Sequence, residues 1–94
     1  MTLKQKIHSE RFRVILKANK VKKVAVFGSY ARGQSRPGSD IDFLVDFEKD
    51  ADLFDQIGLK NDLEVFLKKK TDVVTRASLN KYIRSRILKE AVDL

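Results

Sequence analysis

Two apolar segments joined by a turn-rich stretch constrain the fold of this chain more than any other feature. The segments VKKVAVFG (21–28) and DIDFLVDFE (40–48) are rich in β-branched and aromatic residues, which favours strands. Gly28 ends the first segment, and Pro37 and Gly38 supply turn chemistry shortly before the second. The sequence therefore predicts two strands separated by a short, tightly folded connection.

Helical segments surround these strands, and each has a residue suited to begin, bend or end it. The segments are residues 3–18, residues 29–34, residues 51–67 and a last helix from residue 78. Asn19 suits the end of the first helix, Ser29 and Ser78 suit N-cap positions, and Gly58 is a candidate kink. A third strand is predicted at KTDVVT (70–75). This order predicts an α/β (α+β) domain, with a small mixed β-sheet and helices packed on one side.

The predicted core consists of phenylalanines and of apolar faces on the last two helices. The phenylalanines are Phe27, Phe43, Phe54 and Phe66. Residues 51–67 carry two apolar stripes, Leu59, Leu63, Phe66 and Leu67 in one and Leu53, Phe54 and Ile57 in the other. The last helix adds Leu79, Tyr82, Ile83, Ile87 and Val92. We expect these side chains to lie against the sheet and exclude water.

Length and residue usage exclude several classes of protein. The 94 residues suit one domain, divided into an N-terminal basic helix (1–20) and a core (21–94). There is no cysteine and one histidine, His8, which excludes disulfides, multi-histidine zinc sites and a Ser-His-Asp triad within this chain. No apolar run approaches the roughly 20 residues that span a bilayer. We therefore expect a cytoplasmic protein without a membrane partner.

The charge of the chain is distributed unevenly. The formal net charge is +7, and residues 1–23 hold eight Lys or Arg residues against Glu10 alone, which accounts for all of it. Residues 24–48 carry two arginines against four carboxylates. A basic end beside an acidic centre suggests a metal site flanked by attraction for phosphates. The competing interpretation is a basic helix face that is merely solvated.

Asp40 and Asp42 raise the question of why two carboxylates stand so close together. Side chains alternate along a strand, so these two point to one side while Ile41 and Phe43 point to the other. Same-face carboxylates repel each other unless a positive charge lies between them. A divalent cation fulfils this need, and oxygen-only ligands suit Mg²⁺ or Mn²⁺. The pair therefore predicts a metal site on the open face of the sheet.

Three further features extend this site. If the third strand lies beside the second, Asp72 joins the carboxylates, and three carboxylates can hold two metal ions about 3.5–4 Å apart. Gly28 and Ser29 lie at a strand-to-helix junction, where backbone N–H groups attract phosphates. Arg32 is expected to pair with a phosphate or to hold the aspartates, the alternative being an exposed helical arginine. The residues thus predict a two-metal nucleotide site.

These residues match the signature of a known family. Gly28-Ser29, ten residues, then Asp40-Ile-Asp42 resembles the Gly-Ser-x10-Asp-x-Asp pattern of the DNA polymerase beta-like nucleotidyltransferases. The string GSYARGQSRPGSDIDFLV resembles their minimal nucleotidyltransferase (MNT) subgroup, and the resemblance covers residues 21 to 94. It implies a palm-like fold in which Gly28 and Ser29 bind the triphosphate and Asp40 and Asp42 ligate both metals. Asp72 would ligate the catalytic metal and help to deprotonate the attacking hydroxyl.

The same resemblance implies a function. It predicts Mg²⁺-dependent transfer of AMP from ATP to a hydroxyl of a partner protein, with the chain as antitoxin beside a HEPN-family toxin. One alternative is an antitoxin that neutralises its partner by occlusion without catalysis. Another is a nucleic-acid binder using the basic N-terminal segment, although no reading motif supports it and we do not expect that partner. Homo-oligomerisation is left open.

One position departs from the family pattern. Relatives usually carry a glycine before the third strand, in a string such as LLGRKVDLV, where this chain has FLKKKTDVV with Lys68. A helix end that needs a left-handed residue would then cost about 1 kcal/mol, or the helix would end differently. The departure affects the predicted loop more than the predicted chemistry.

Overall fold

The computed structural model describes residues 1–36 and 38–94, so Pro37 of the predicted turn lies outside the described residues. The helices are α1 (Leu3–Ile7), α2 (Glu10–Ala18), α3 (Gly28–Ala31), α4 (Leu53–Leu67) and α5 (Lys81–Glu90), with a 3₁₀ turn at Arg76–Ser78. The strands are β1 (Val21–Phe27), β2 (Ile41–Phe47), β3 (Thr71–Thr75) and β4 (Val92–Asp93). They form one sheet in the order β3-β2-β1-β4, with β1 antiparallel to β2 and β4 and β2 parallel to β3. The predicted mixed-sheet α/β class is confirmed.

One face of the sheet carries the main hydrophobic core. Ile41, Phe43 and Val45 alternate along β2 toward this face, and each is at most 1% exposed. The ring of Phe43 packs against that of Phe12 with 5.9 Å between centroids. The other buried members come from α1, α2, β1 and α4: Ile7, Ile15, Val24, Val26, Leu59, Leu63 and Leu67. Burial on this face supplies most of the hydrophobic stabilisation of the fold.

The opposite face is covered far less. Its buried members are Ala25, Leu44 and Leu79, joined by half-buried Phe27, Val74, Ile87 and Ala91. Cover comes from the 3₁₀ turn and the C-terminal part of α5, so helical structure reaches this second face as well as the first. Because α5 contributes no fully buried residue, a large part of this face stays open. The acidic side chains of β2 and β3 lie in that open part.

The N-terminal helical region is interrupted rather than continuous. α1 ends at Ile7, and the hydroxyl of Ser9 accepts a hydrogen bond from the Phe12 N–H at 3.3 Å, which starts α2. The predicted single helix over 3–18 was therefore wrong, because a side-chain cap competes with helix continuation at Ser9. The predicted end at Asn19 is confirmed. Its buried amide donates to the Ile15 carbonyl at 2.8 Å and to Asp62 at 3.0 Å.

Two positions on α4 differ from expectation. The helix runs without a break past Gly58, where a kink was predicted. A Cβ at that residue would lie 2.8 Å from the side-chain oxygen of Asn19, so the glycine permits close packing of α2 on α4. Lys68 ends the helix in the left-handed conformation, with φ 56° and ψ 38°. The helix therefore ends in the left-handed conformation that glycine adopts readily, and Lys68 adopts it at a conformational cost.

Three predictions about the last two helices need correction. Ser78 lies in the 3₁₀ turn, and α5 is instead capped by Asn80, whose side chain accepts from the Tyr82 N–H at 2.8 Å. Val92 belongs to β4, where pairing with β1 takes precedence over helix continuation. Tyr82 and Phe54 are 82% and 81% exposed, so neither belongs to the core. Leu53 and Ile57 are also exposed, as is Ile83, which lines an open cleft between α5 and the sheet.

Within residues 1–36 and 38–94, no helix has the length and apolar character needed to cross a membrane.

Candidate active site

The central strand β2 and its edge neighbour β3 bring carboxylates together on the open face of the sheet. Asp42 of β2 lies directly opposite Asp72 of β3 in the parallel register. Asp40 is exposed, immediately precedes β2, and lines the same cleft as Asp72. Parallel pairing thus joins side chains that are thirty residues apart in the chain, as the sequence argument required.

The electrostatics of Asp42 reflect this crowding. Its half-buried position raises the pKa of the carboxyl to about 6, and the hydrogen bond and charge of Asp72 and the charge of Asp40 add to that effect. The positive charge of Arg32 acts to lower the pKa of Asp42 and so favours its charged form. The carboxylates therefore repel one another at neutral pH, and a bound cation would relieve the repulsion.

The donor chemistry suits a hard divalent cation. All three side chains offer only carboxylate oxygens, the ligands that Mg²⁺ and Mn²⁺ prefer. In the part of the chain that the structure describes, no three acidic or histidine side chains already stand together at metal-holding positions. The carboxylates nevertheless fit such an ion in the chemistry of their donor atoms.

Gly28 forms the turn beside these carboxylates. Its φ is +75°, a conformation that favours glycine, and a Cβ there would overlap the carboxylate oxygen of Asp42. Its neighbour Phe27 pairs with Asp42 across β1 and β2, which explains the close approach. Helix α3 starts at Gly28 itself, so Ser29 lies in its first turn and is not the predicted N-cap. Glycine is therefore required here for both backbone conformation and space.

A carboxylate that the sequence interpretation missed binds this turn. Glu90, the last residue of α5, accepts a hydrogen bond from the Gly28 N–H at 3.0 Å. Arg32 Nη1 donates to both oxygens of Glu90 at 3.1 Å. Burial would raise the pKa of Glu90, but the Gly28 and Arg32 hydrogen bonds outweigh that effect and hold it below its ordinary value. Arg32, predicted to face a phosphate or the aspartates, is thus paired with Glu90.

Two clefts meet at the carboxylates. One of about 510 Å³ runs between the sheet and α5, and its apolar wall consists of Phe27, Val73, Val74, Leu79, Ile83 and Ile87. The other, of about 580 Å³, is lined by four lysines, Lys60, Lys68, Lys69 and Lys70, and by three carboxylates, Asp40, Glu64 and Asp72. Asp72 and Lys60 border both clefts. The arrangement can hold an anionic group beside a flat apolar one, with the carboxylates between them.

Comparison with known proteins gives consistent matches. The family model described as nucleotidyltransferase domain matches residues 9–94. A Methanocaldococcus jannaschii protein named as a protein adenylyltransferase is 45% identical over 80 residues, which cover 85% of this chain and 86% of that protein. A solved structure described as a minimal nucleotidyltransferase has a TM-score of 0.84 and 36% identity, and the match covers 100% of this chain and 97% of the other.

A more distant solved structure shares the fold. It is that of a tri-AMPylated Shewanella oneidensis HEPN toxin in complex with MNT antitoxin. The match has a TM-score of 0.70 and 19% identity, and it covers 98% of this chain and 71% of that chain. At this identity the likeness concerns the fold alone.

Proposed function

This chain belongs to the nucleotidyltransferase domain family, and on that premise we propose that it transfers AMP from ATP to a hydroxyl group of a partner protein. The observation that carries the proposal is the pairing of Asp42 with Asp72, with the Gly28 turn beside them. Carboxylates next to backbone and guanidinium donors suit phosphoryl chemistry, where charge must be neutralised at the reacting phosphorus.

The phosphates of ATP are assigned to the Gly28 turn. The Gly28 N–H, the Ser29 hydroxyl and the Arg32 guanidinium are the proposed donors to the triphosphate. Asp40 and Asp42 would hold two Mg²⁺ or Mn²⁺ ions, with Asp72 as a further ligand of one of them. Such ions neutralise charge on the phosphates and orient them for displacement. The raised pKa of Asp42 supports this assignment, because crowded carboxylates favour a bound cation.

The proposed step is an in-line displacement at the α-phosphorus. The acceptor oxygen forms a bond to this phosphorus as the bond to the oxygen bridging to the β-phosphorus breaks, and pyrophosphate leaves. Asp72 accepts the proton of the attacking hydroxyl and later releases it to solvent. The apolar cleft that borders Asp72 offers room for the non-polar part of the acceptor or of the nucleotide.

The proposed partner is a HEPN-family toxin, with this chain as its antitoxin. The naming of the M. jannaschii relative as a protein adenylyltransferase supports a protein acceptor. The distant structure of an AMPylated HEPN toxin with its MNT antitoxin supports the kind of partner. A cytoplasmic location follows from this proposal.

The test is a transfer assay with ATP labelled in the α-phosphate. Incubation with Mg²⁺ and the HEPN-family protein from the same genome should place the label on that partner, whereas ATP labelled in the γ-phosphate should not. Chelation of the metal and the Asp42→Asn change should both abolish labelling. Absence of label on the partner after incubation of the unaltered chain with α-labelled ATP and Mg²⁺ would overturn the proposal.

Neutralisation by occlusion is the second candidate function. Phe54, Val65 and Tyr82 are 81%, 78% and 82% exposed, which favours a protein-binding surface on α4 and α5. A variant carrying Asp40→Asn and Asp42→Asn should then still suppress the activity of the partner toxin. If this variant still binds the toxin but no longer suppresses it, neutralisation of the toxin depends on catalysis.

A further inference from the structure

The donors proposed for the triphosphate are already engaged by a side chain of the protein itself. We call the Gly28 N–H and the Arg32 guanidinium the anion seat. Glu90 accepts from both, at 3.0 Å from the Gly28 nitrogen and 3.1 Å from Arg32 Nη1 through each oxygen. A backbone amide and a guanidinium that hold one anion between them would serve equally well for a phosphate oxygen.

We propose that Glu90 is an affinity-determining residue that occupies the anion seat in the free protein and must be displaced by the phosphates of an incoming nucleotide. This inference rests on the proposed function, because the seat is the one assigned to ATP. Two anions cannot share the donors, since the carboxylate and the phosphate would compete for the same N–H groups and would repel each other.

The position of Glu90 allows displacement without unfolding. Its backbone is fixed because Ala91, the next residue, donates its N–H to the Ile87 carbonyl at 2.9 Å. Beyond it, Val92 and Asp93 pair with β1. The side chain alone therefore needs to rotate away from the seat. Arg86, one turn earlier on α5, already stabilises the charge of Glu90 and offers the released carboxylate a second partner.

Occupation of the seat should weaken nucleotide binding by a measurable factor. Apparent affinity falls in proportion to the fraction of molecules in which the binding site is free. A charge-assisted contact that is 39% exposed on the Arg32 side and 19% on the Glu90 side is partly screened by solvent. The contact is therefore strong enough to fill the seat in most molecules but weak enough to leave it free in about a tenth of them. The apparent Kd for the nucleotide is then raised about tenfold.

The opposing interpretation makes Glu90 a brace that holds the Gly28 turn and Arg32 in their binding positions. The two interpretations predict opposite changes in nucleotide affinity. Removal of the Glu90 charge tightens nucleotide binding if Glu90 is a competitor, and it weakens binding if Glu90 is a brace. Glu90→Gln is the informative change, because glutamine keeps the length and one acceptor oxygen but loses the negative charge.

The experiment is calorimetric titration of the full chain with ATP and Mg²⁺. Glu90→Gln should lower Kd about tenfold relative to the unaltered chain. The matched control is Asp46→Asn, which removes another carboxylate held by an arginine, Arg76, at 3.0 and 3.1 Å and outside the site. Its Kd should stay within about twofold of the original.

Each result has a defined meaning. An unchanged or weakened affinity in Glu90→Gln, with binding by the unaltered chain intact, overturns the competitor role and leaves the proposed function standing. Absence of ATP binding by both proteins overturns the proposed function together with this inference. If circular dichroism shows that Glu90→Gln does not fold, the same titration is carried out with Glu90→Asp. Its shorter side chain reaches the seat poorly, so it should also tighten binding, and a weakened affinity there overturns the proposal.

Discussion

The two faces of β2 show how one strand serves two purposes. Ile41, Phe43 and Val45 point to the face covered by α1, α2 and α4, and all three are essentially inaccessible to water. Asp42, between two of them in sequence, points to the other face and lies against Asp72. The strand therefore has one face that stabilises the fold and one face on which carboxylates repel each other.

Hydrophobic burial on the covered face offsets the electrostatic repulsion on the open face. Burying aliphatic and aromatic side chains is favourable, whereas crowding carboxylates without a cation is unfavourable. The register of β2 against β1 and β3 holds Asp42 in place despite the repulsion, because a slip of one residue would expose Phe43. The comparison can be tested by altering each face separately.

The largest effect is expected on catalysis, from the open face. Asp42→Asn should reduce AMP transfer to the partner by about 10³-fold or more, corresponding to roughly 4 kcal/mol of transition-state stabilisation. The free energy of unfolding of the metal-free protein should not fall, since the change removes a repulsive charge. Transfer rates and urea denaturation of the same preparation check both parts. A variant that is inactive because it is unfolded would contradict the separation of the two faces.

The next largest effect is expected on the free energy of unfolding, from substitutions on the covered face. Phe43 is fully buried, and Phe43→Ala should lower the free energy of unfolding by about 3–5 kcal/mol through lost burial and the cavity left behind. Val74→Ala, on the sparsely covered face, should cost less than half as much. Urea denaturation measures both. Equal losses at the two positions would remove the distinction between the faces.

A smaller effect is expected from pH. The folded protein raises the pKa of Asp42 from 3.8 to about 6, so it binds a proton more tightly than the unfolded chain does. The contribution of Asp42 to stability should therefore be fully present below about pH 4 and be lost as pH rises through 6, a change on the order of 1–2 kcal/mol after allowance for solvent exposure. In Asp42→Asn this contribution should vanish, as seen by comparing the Tm of both proteins between pH 4 and 7.

The smallest effect is expected at the end of α4. Lys68 holds a left-handed conformation with φ 56°, and Lys68→Gly should raise the free energy of unfolding by about 0.5–1 kcal/mol by relieving that strain. Lys70→Gly is the control, since Lys70 has no positive φ and a glycine there only adds freedom to the unfolded chain. Stabilisation by both changes, or by neither, would contradict the backbone strain assigned to Lys68.

Much of the fold was predictable because its signals are local. Alternating apolar residues around Phe43 set the strand and its buried face, and Asn19 marked the end of a helix. The break at Ser9 and the cap at Asn80 were missed because several neighbouring residues could cap a helix equally well. β4 was missed because a strand of two residues carries almost no periodic signal.

Asp40 lies just before β2, but the sequence alone indicated that Asp42 points away from Ile41 and Phe43, because side chains alternate along an extended backbone whatever surrounds it. It also determined a glycine at residue 28, next to that strand. The placement of Asp72 opposite Asp42 and of Glu90 at the Gly28 turn depends on tertiary packing. Such contacts join residues 30 to 62 positions apart, and they depend on how the sheet and α5 pack rather than on any local pattern.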